Sequence, residues 1–337
     1  MVKRILMGII ILVFFVACSS SFAADEEGAR GIFIEPFGGI FYINAPDVNF
    51  GGRYDWEGGY SGGEHREDGE AHGPIFGLTF GKRFKSPLSL GRNNRVELSG
   101  FYSSAKSTSS STIMPVGNVT GFMQIDASRA FGGPDHTEVS INSKARYYGF
   151  SLVLKGDHKV GLNWSVSPYI GPTLFFFEQD IDISAQEFGG KNYPSTSVSE
   201  DTETMYLGIT GGADFTRQIS DRVSLVANAE LSVVHARSDF DGSQETYDWS
   251  TSELLATSHV TDSDEEVAVR GTGNIKLQFD IGFGTLSLSA GLHWLSYVPG
   301  VVNPRNYINS SIPDRAAHIE DESSLMVIGM AQVAIPF

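Results

Sequence analysis

The carboxyl-terminal segment, residues 325–337, alternates its apolar side chains with a period of two. Counting back from the last residue, one parity carries only apolar or small side chains, namely Phe337, Ile335, Val333, Ala331, Gly329, Val327 and Leu325. Successive side chains of a β-strand point to opposite sides, so this period predicts a strand with one face in an apolar environment. Such a strand needs neighbouring strands to pair with it, and this requirement favours an all-β fold.

A final strand of this kind, closing on phenylalanine, resembles the assembly signal of bacterial outer-membrane β-barrel proteins. The resemblance covers the last strand alone and identifies a class rather than a function. It implies a closed antiparallel transmembrane up-and-down β-barrel, integral to the bacterial outer membrane. It also implies that the barrel-assembly machinery recognises the carboxyl-terminal strand, and that outer-membrane lipid surrounds the barrel.

The amino terminus has the pattern of an export signal. Lys3 and Arg4 precede an apolar run over residues 5–17, and small residues then lead to a cleavage point after Ala23. The run is too short to span a bilayer, so the pattern predicts a signal peptide at residues 1–23 and a single barrel domain at residues 24–337. Residues 15–18 loosely resemble a lipoprotein box, which leaves lipidation of Cys18 open.

Ten segments of the remaining chain alternate in the manner of strands. They lie at residues 31–44, 74–85, 95–104, 141–155, 160–180, 204–218, 223–237, 266–283, 285–298 and 323–337. The connections between them alternate between short turns and long polar stretches. Outer-membrane barrels combine short periplasmic turns with long extracellular loops, whereas long structureless connections are uncommon in compact domains. The sequence therefore predicts about ten strands, and alternation within residues 112–126 leaves twelve as the alternative.

Residues 266–283 illustrate how the two faces of a strand divide. One parity is apolar or glycine from Val267 to Ile281, and the other is polar from Arg270 to Asp280. In lipid, the apolar parity of a barrel faces outward and the polar parity lines the lumen. Aromatic residues near strand ends predict two interfacial belts, a periplasmic one with Trp164, Phe215, Phe283 and Phe337 and an outer one with Tyr42, Tyr102 and Phe176.

Charged residues of both signs fall on the predicted lumen face. The acids are Glu35, Glu97, Asp214, Glu230 and Asp280, and the bases are Arg83, Arg95, Arg146, Arg270 and Lys276. Ten strands enclose a lumen that side chains largely fill, and charges buried there need partners. The set predicts either an ion-pair network that seals the barrel or a narrow charged passage for ions and small polar solutes.

The predicted outer loops are acidic, and the chain has a formal net charge of −16. No Lys or Arg lies within residues 238–266. Two pairs there, Asp239 with Asp241 and Asp262 with Asp264, offer carboxylates for weak binding of a divalent cation, which would bridge to lipopolysaccharide phosphates. A solvated acidic loop is the alternative. The charge disfavours nucleic acid as a partner, because binding it needs a basic surface, and no motif indicates a cofactor or a resident metal.

Three functions are compatible with these features. The first is a narrow channel or a structural envelope barrel, the second a surface receptor or adhesion barrel that uses the acidic loops. The third is a rim-site enzyme acting on lipid A or peptides. Omptin proteases are ten-stranded outer-membrane barrels with an Asp-x-His element on one rim, and no such element stands in the fourth loop here. His235 and His293 have no accompanying nucleophile motif, so we predict that the protein is not an enzyme.

Overall fold

The computed structural model describes residues 31–55, 59–84, 93–113, 122–123, 125–126, 130–131, 136–189, 194–248, 250–304 and 316–337. The predicted signal peptide, Cys18 and most of the ambiguous segment 112–126 lie outside these residues. In the described part of the chain, no helix is long and apolar enough to cross a bilayer.

The described residues form fourteen strands, numbered in chain order. They are β1 Ile32–Asn44, β2 Val48–Asp55, β3 Gly59–Glu67, β4 Glu70–Phe84, β5 Asn93–Ile113, β6 Phe122–Met123, β7 Ala130–Phe131, β8 His136–Lys159, β9 Trp164–Phe188, β10 Pro194–Ser220, β11 Val223–Asp248, β12 Leu254–Asp280, β13 Thr285–Val302 and β14 His318–Pro336. Ten of them close into one ring in the order β1-β14-β13-β12-β11-β10-β9-β8-β5-β4. The closed antiparallel barrel of ten strands is thereby confirmed. The remaining strands form two small sheets, β2 with β3 and β6 with β7, outside the ring.

The first and last strands of the barrel close the ring. Asn44 lies opposite Leu325 and Phe33 opposite Pro336, and the Phe337 amide donates to the Ile32 carbonyl oxygen over 2.8 Å. The alternating carboxyl-terminal segment is therefore paired on both sides, with β1 and with β13. Closure matters in lipid because the bilayer core contains no water that could form hydrogen bonds with unpaired backbone groups at a strand edge.

The two ends of the barrel differ in how the strands are connected. We call the end with the short connections, at residues 160–163, 221–222 and 281–284, the turn end, and the opposite end the outer end. Gly282 has a φ of +89° in the last of these turns, a conformation that glycine adopts without the steric penalty of a side chain. Gly31 and Phe337 both lie at the turn end, as an even number of strands requires.

An apolar band of side chains faces outward around the barrel. Ile40, Leu207, Ile275 and Leu292 are examples, each more than half exposed. An exposed apolar surface that encircles a protein fits lipid rather than water.

Aromatic side chains border the apolar band at both ends. Trp164, Phe215, Phe283 and Phe337 are exposed near the turn end. Near the outer end four rings lie in sequence. Phe76 is tilted against Tyr102 at 5.4 Å between centroids, Tyr102 stacks on Tyr148 at 6.0 Å, and Tyr148 stacks on Phe176 at 5.1 Å. We call these four residues the outer aromatic belt. Rings of this kind lie where an apolar environment meets a wet one.

Beyond the outer aromatic belt, β5 and strands β8 to β12 continue as a tall sheet, which we call the outer wall. It comprises residues 105–113, 136–145, 177–188, 194–204, 235–248 and 254–266. At the rise of a β-strand, the segment 194–204 alone adds roughly 35 Å along the strand. The long loops expected at residues 181–203 and 238–265 are instead strand over most of their length, and the connections span only residues 189–193 and 249–253.

Strand β11 shows why the outer wall resembles loop in the sequence. Up to Val233 the outward side chains are apolar, as at Leu231, and the inward ones are polar, as at Glu230. Beyond Val233 the outward parity becomes polar, as at Asp239, and the inward parity includes the buried Phe240. The outward side chains meet water here instead of lipid, so the polarity of the two faces inverts within one continuous strand.

Candidate functional site

The lumen next to the turn end contains paired charges from three strands. Arg95 on β5 bonds to Glu97, and its Nη1 lies 3.3 Å from Asp157 Oδ1. Lys155 on β8 lies 3.7 Å from Glu97 Oε2 and forms an ion pair with Asp214 on β10. Each of these charges has a partner of opposite sign. Such pairing offsets the desolvation of charges inside a barrel.

Polar contacts carry this network across to β12. Asn228 donates to Asp214 over 2.7 Å and to the Tyr169 hydroxyl over 2.9 Å. The Tyr169 hydroxyl in turn donates to Glu230 over 3.0 Å. Glu230 forms an ion pair with Arg270. The network therefore links β9, β10, β11 and β12 on the lumen face.

A further ion pair joins the first strand to β12. Lys276 Nζ lies 3.3 Å from Glu35 Oε1, past the intervening β13 and β14. Asp280 instead accepts the Gly282 amide in its own turn over 2.8 Å, and Arg83 is exposed at the turn end. Of the ten charged residues expected in the lumen, the structure brings seven into lumen ion pairs, namely Glu35, Arg95, Glu97, Asp214, Glu230, Arg270 and Lys276.

The sequence predicts that Arg146 faces the lumen, and this prediction is wrong. Arg146 faces outward beyond the outer aromatic belt, 2.6 Å from Asp180 Oδ2 and 3.3 Å from Glu178 Oε2. The adjacent Tyr147 and Tyr148 put an aromatic ring on each face of β8, so alternation does not settle the parity there. The odd-numbered residues of β8 face the lumen, and Lys155 is one of them. The sequence analysis does not include this lumen charge, for the same reason.

Above the charged network, apolar side chains fill the lumen. Every strand of the ring contributes a buried side chain to this layer, which we call the septum: Phe41, Ile75, Ala105, Tyr147, Phe175, Tyr206, Val234, Ala268, Leu295 and Ile328. The rings lie close together, with centroids 5.6 Å apart for Tyr147 and Phe175 and 4.5 Å apart for Phe175 and Tyr206. The Arg270 guanidinium lies 4.8 Å from the Phe175 ring centre, which joins the septum to the charged network.

A second apolar cluster lies inside the outer wall. Ile141, Ile183, Val198 and Phe240 face inward from the outer wall. Val48 at the start of β2, Val301 near the end of β13, and Ile125 and Ala317 in connecting segments pack onto them. The Ile125 amide donates to Gln244 over 3.0 Å, and the Ile125 carbonyl accepts the Ala317 amide over 2.6 Å. Connections from different parts of the chain thus fold into the mouth of the barrel and fill it.

Two buried carboxyl groups accompany this second cluster. Glu200 is 1% exposed and accepts a hydrogen bond from Asn303 Nδ2 over 2.6 Å. Burial raises the pKa of Glu200 to about 7. Glu187 is also buried, neither of its carboxyl oxygens has a hydrogen-bond partner, and burial raises the pKa of Glu187 to about 8. Both groups therefore favour the neutral form more than an exposed glutamate does.

The outer face of the outer wall carries an open groove of about 860 Å³. Arg146 lines this groove together with six outward-facing acids, Glu178, Asp180, Asp201, Glu203, Asp239 and Asp241. Burial, followed by repulsion from neighbouring carboxylates, raises the pKa of Asp201. Acidic side chains therefore dominate the water-facing side of the wall.

The four aspartates considered for cation binding divide between two faces of the outer wall. Asp239 and Asp241 face outward, whereas Asp262 accepts the Ile319 amide over 3.1 Å and Asp264 accepts the Tyr297 hydroxyl over 3.0 Å, both on the inner side. The two pairs therefore do not form one site. Among the residues that the structure describes, no group of three or more potential ligands is arranged to hold a metal ion.

The two histidines considered for an enzyme also lie apart. His235 is on the outer face, 3.9 Å from Glu265, and His293 faces the lumen opposite Thr272. Among the described side chains, the shortest ion-pair contact of a histidine is that of His259 with Asp241, at 3.2 Å, and both side chains are more than half exposed. The residues that the structure describes therefore do not bring either histidine together with an acid and a nucleophile in the arrangement of a catalytic site.

Comparison with known proteins gives matches only at the level of structure. No protein-family model and no curated protein matches the sequence. Similar solved structures include the outer membrane protease OmpT of Escherichia coli, with 7% identity, a TM-score of 0.46 and coverage of 94% of this chain and 99% of that chain. Another is the translocator domain of the autotransporter NalP from Neisseria meningitidis, with 12% identity, a TM-score of 0.32 and coverage of 99% and 98%. A third is the TodX deltaS2S3 mutant monoaromatic hydrocarbon channel, with 7% identity, a TM-score of 0.29 and coverage of 92% and 91%.

The fold itself defines the class of protein. Ten antiparallel strands close on themselves, an apolar band with aromatic borders faces outward, and paired charges line the lumen. These are the features of a bacterial outer-membrane β-barrel. In this class the turn end is periplasmic and the outer end is extracellular.

Proposed function

We propose that this protein is a non-conducting outer-membrane barrel that displays an extracellular β-sheet for binding a partner outside the cell. One observation carries the proposal: the lumen is filled at the septum, while the strands continue well beyond the lipid as the outer wall. A channel needs a continuous wet path. A receptor or adhesion barrel needs a stable extracellular surface.

The filled lumen argues against the channel among the three functions. The septum takes one buried side chain from every strand of the ring, and the second cluster fills the mouth above it. The charged residues below the septum form ion pairs with one another. Such pairs stiffen the barrel between its strands and leave few free charges to attract a solute.

The partners in the envelope follow from the same arrangement. The outer aromatic belt lies at the level of the lipid headgroups of the outer leaflet, so lipopolysaccharide surrounds the base of the outer wall. Strand β14 would be recognised by the barrel-assembly machinery before it pairs with β1. These partners are part of the proposal.

Swelling of proteoliposomes in small sugars tests whether the barrel conducts. The wild-type protein should give no swelling beyond that of protein-free liposomes. A variant with Phe175→Ala and Tyr206→Ala, which opens the septum, should give measurable swelling if it folds, as judged by its heat-modifiable migration on gels. Wild-type swelling at the rate of an open pore would overturn the proposal.

A further inference from the structure

The outer wall ends in an open strand edge on β12. β11 pairs with β12 along nearly its whole length, from Tyr247 opposite Leu254 to Val223 opposite Phe279. β13 pairs with β12 only from Arg270 to Asp280. Among the described residues, no strand pairs with the other side of β12 over residues 256–269. We call residues 257–267 of this side the β12 edge.

The hydrogen-bonding direction of each residue on the β12 edge follows from one contact. The Val269 amide donates to Ser296 Oγ over 2.8 Å and so points away from β11, toward β13. The register with β11 is continuous from Ala256 to Phe279, and alternate residues of a strand direct their N–H and C=O groups to the same side. Residues 257, 259, 261, 263, 265 and 267 therefore present their backbone groups to the open side.

The usual protection of an edge strand is absent from the upper part of this edge. Natural proteins blunt exposed edges with charged side chains, proline or bulges. Residues 257–261, Thr-Ser-His-Val-Thr, and the preceding residues 254–256, Leu-Leu-Ala, contain no Asp, Glu, Lys, Arg or proline. Leu254 and Leu255 are each nearly half exposed. This segment has the composition of a strand that is suited to pairing.

The charge around the β12 edge selects the kind of segment that fits it. Residues 238–266 contain no Lys or Arg. The side chains of Asp239, Asp241 and Glu265 face outward beside the edge. Arg237 lies 3.9 Å from both Asp239 and Glu265, so it offsets one of these three negative charges and leaves the surface acidic. A strand added to the edge would point every second side chain into this acidic environment, where Lys or Arg is stabilised and Asp or Glu is repelled.

We infer that the β12 edge binds an extended basic polypeptide segment, which adds to the outer wall as a further β-strand. Main-chain hydrogen bonds would give the affinity, and alternating Lys or Arg side chains would give the selectivity. The inference rests on the proposed function and names the chemistry of its partner.

A second copy of this chain fits the edge less well. Two barrels in one membrane are related by a rotation about the membrane normal, so their β12 strands would run in the same direction and pair in parallel. Their acids at residues 262–266 would then lie side by side, and like charges in neighbouring strands are destabilising. A basic partner meets no such repulsion.

Peptide binding to the full-length barrel in detergent tests the inference. The probes are a fluorescent peptide of alternating Lys and Val, the same peptide with the amide nitrogens of alternate residues methylated, and a version with Glu in place of Lys. We expect binding of the first peptide only, since methylation removes the backbone donors and Glu reverses the charge. Equal binding of the methylated peptide, or no binding of the first, would overturn the inference.

A matched pair of variants separates backbone pairing from charge. Thr261→Pro removes an N–H that points to the open side and spares the ladder with β11, so the affinity for the basic peptide should fall about tenfold or more. Thr261→Val keeps the N–H and should bind as the wild type does. Unchanged affinity in Thr261→Pro, or a wild-type dimer that competes with the peptide, would contradict the assignment. Liposome swelling distinguishes the failure of this inference from the failure of the proposed function. A barrel that causes no swelling and binds no peptide would reject peptide binding at the β12 edge and leave the non-conducting barrel standing.

Discussion

The Tyr206 hydroxyl donates to the backbone carbonyl oxygen of Tyr297 across the lumen, over 3.0 Å. The two residues lie on β10 and β13, which β11 and β12 separate in the ring. Both side chains are buried within or beside the septum. A hydrogen bond that spans the lumen in this way fixes the septum to two walls of the barrel, and it makes the closed lumen part of the structure that holds the strands together.

Removal of the Tyr206 hydroxyl should weaken the barrel without opening it. Tyr206→Phe keeps the ring in the septum but leaves the Tyr297 carbonyl without this donor, at a cost of about 1 kcal/mol. The midpoint of urea-induced unfolding in detergent measures the loss. Swelling of liposomes should stay at the protein-free level, and an open pore in this variant would show that the ring does not close the lumen.

Loss of one partner of the Glu230–Arg270 pair should be more costly. Glu230→Ala leaves the Arg270 guanidinium inside the lumen without its carboxylate, and such a change costs about 3–5 kcal/mol in the free energy of unfolding. The double variant Glu230→Leu with Arg270→Met removes both charges and should recover most of this loss. If the single and double variants unfold at the same urea concentration, the pair does not stabilise the barrel.

The outward position of Arg146 can be read by labelling of thiols on intact cells. Arg146→Cys should react with a membrane-impermeant maleimide added outside, because the side chain faces water beyond the outer aromatic belt. Ala145→Cys, whose side chain is 1% exposed and faces inward, serves as the adjacent control and should react at least about tenfold more slowly. Cys18 is the one cysteine of the natural sequence, so the parent protein gives the background. The reverse order of reactivity would restore the lumen position of Arg146.

The outer wall should lose stability as the pH rises, because of Glu200. Burial raises the pKa of Glu200 to about 7 in the folded protein, above its unfolded value. Its favourable contribution is therefore complete below the unfolded pKa of about 4.3 and is lost as the pH rises through 7, a change on the order of 3 kcal/mol. Hydrogen exchange of β10 amides, corrected for intrinsic rates, should show less protection at pH 8.5 than at pH 5.5.

Glu200→Gln separates this effect from other pH dependence. The amide keeps the shape of the protonated carboxyl group and does not ionise, so the difference in protection between the two pH values should shrink. Glu138→Gln, at an exposed position on the outer face of β8, should behave as the wild type does. An unchanged pH dependence in Glu200→Gln would exclude Glu200 as its source.

The sequence predicts the barrel well because alternation and turn spacing are local signals. The strand count and the pairing of β14 with β1 follow from residues that lipid makes apolar on one face, such as Leu225, Leu277 and Leu325. The sequence predicts loops where the outer wall stands, since water outside and an apolar cluster inside invert that pattern beyond Val233. Polarity alone gives no strand signal when the environment of each face changes along the chain.

The candidate site shows the same limit. Inward charges on strands with clear parity, such as Glu230 and Arg270, are found in lumen ion pairs. The sequence predicts the wrong face for Arg146, because Tyr147 and Tyr148 place an aromatic ring on each face of β8. The sequence predicts that side chains largely fill a ten-stranded lumen, but it does not identify the septum, because long-range register decides which rings meet across the lumen. The open edge of β12 depends on where β13 stops pairing, and no short sequence pattern encodes this.

Conductance across a planar bilayer tests the closed lumen most directly. The purified wild-type barrel, inserted in salt on both sides of the membrane, should give no current steps above the bare-bilayer baseline, whereas the Phe175→Ala and Tyr206→Ala variant should give steps. Steady, unitary openings by the wild-type protein would contradict a septum that fills the lumen, and with it the proposal that this barrel binds rather than conducts.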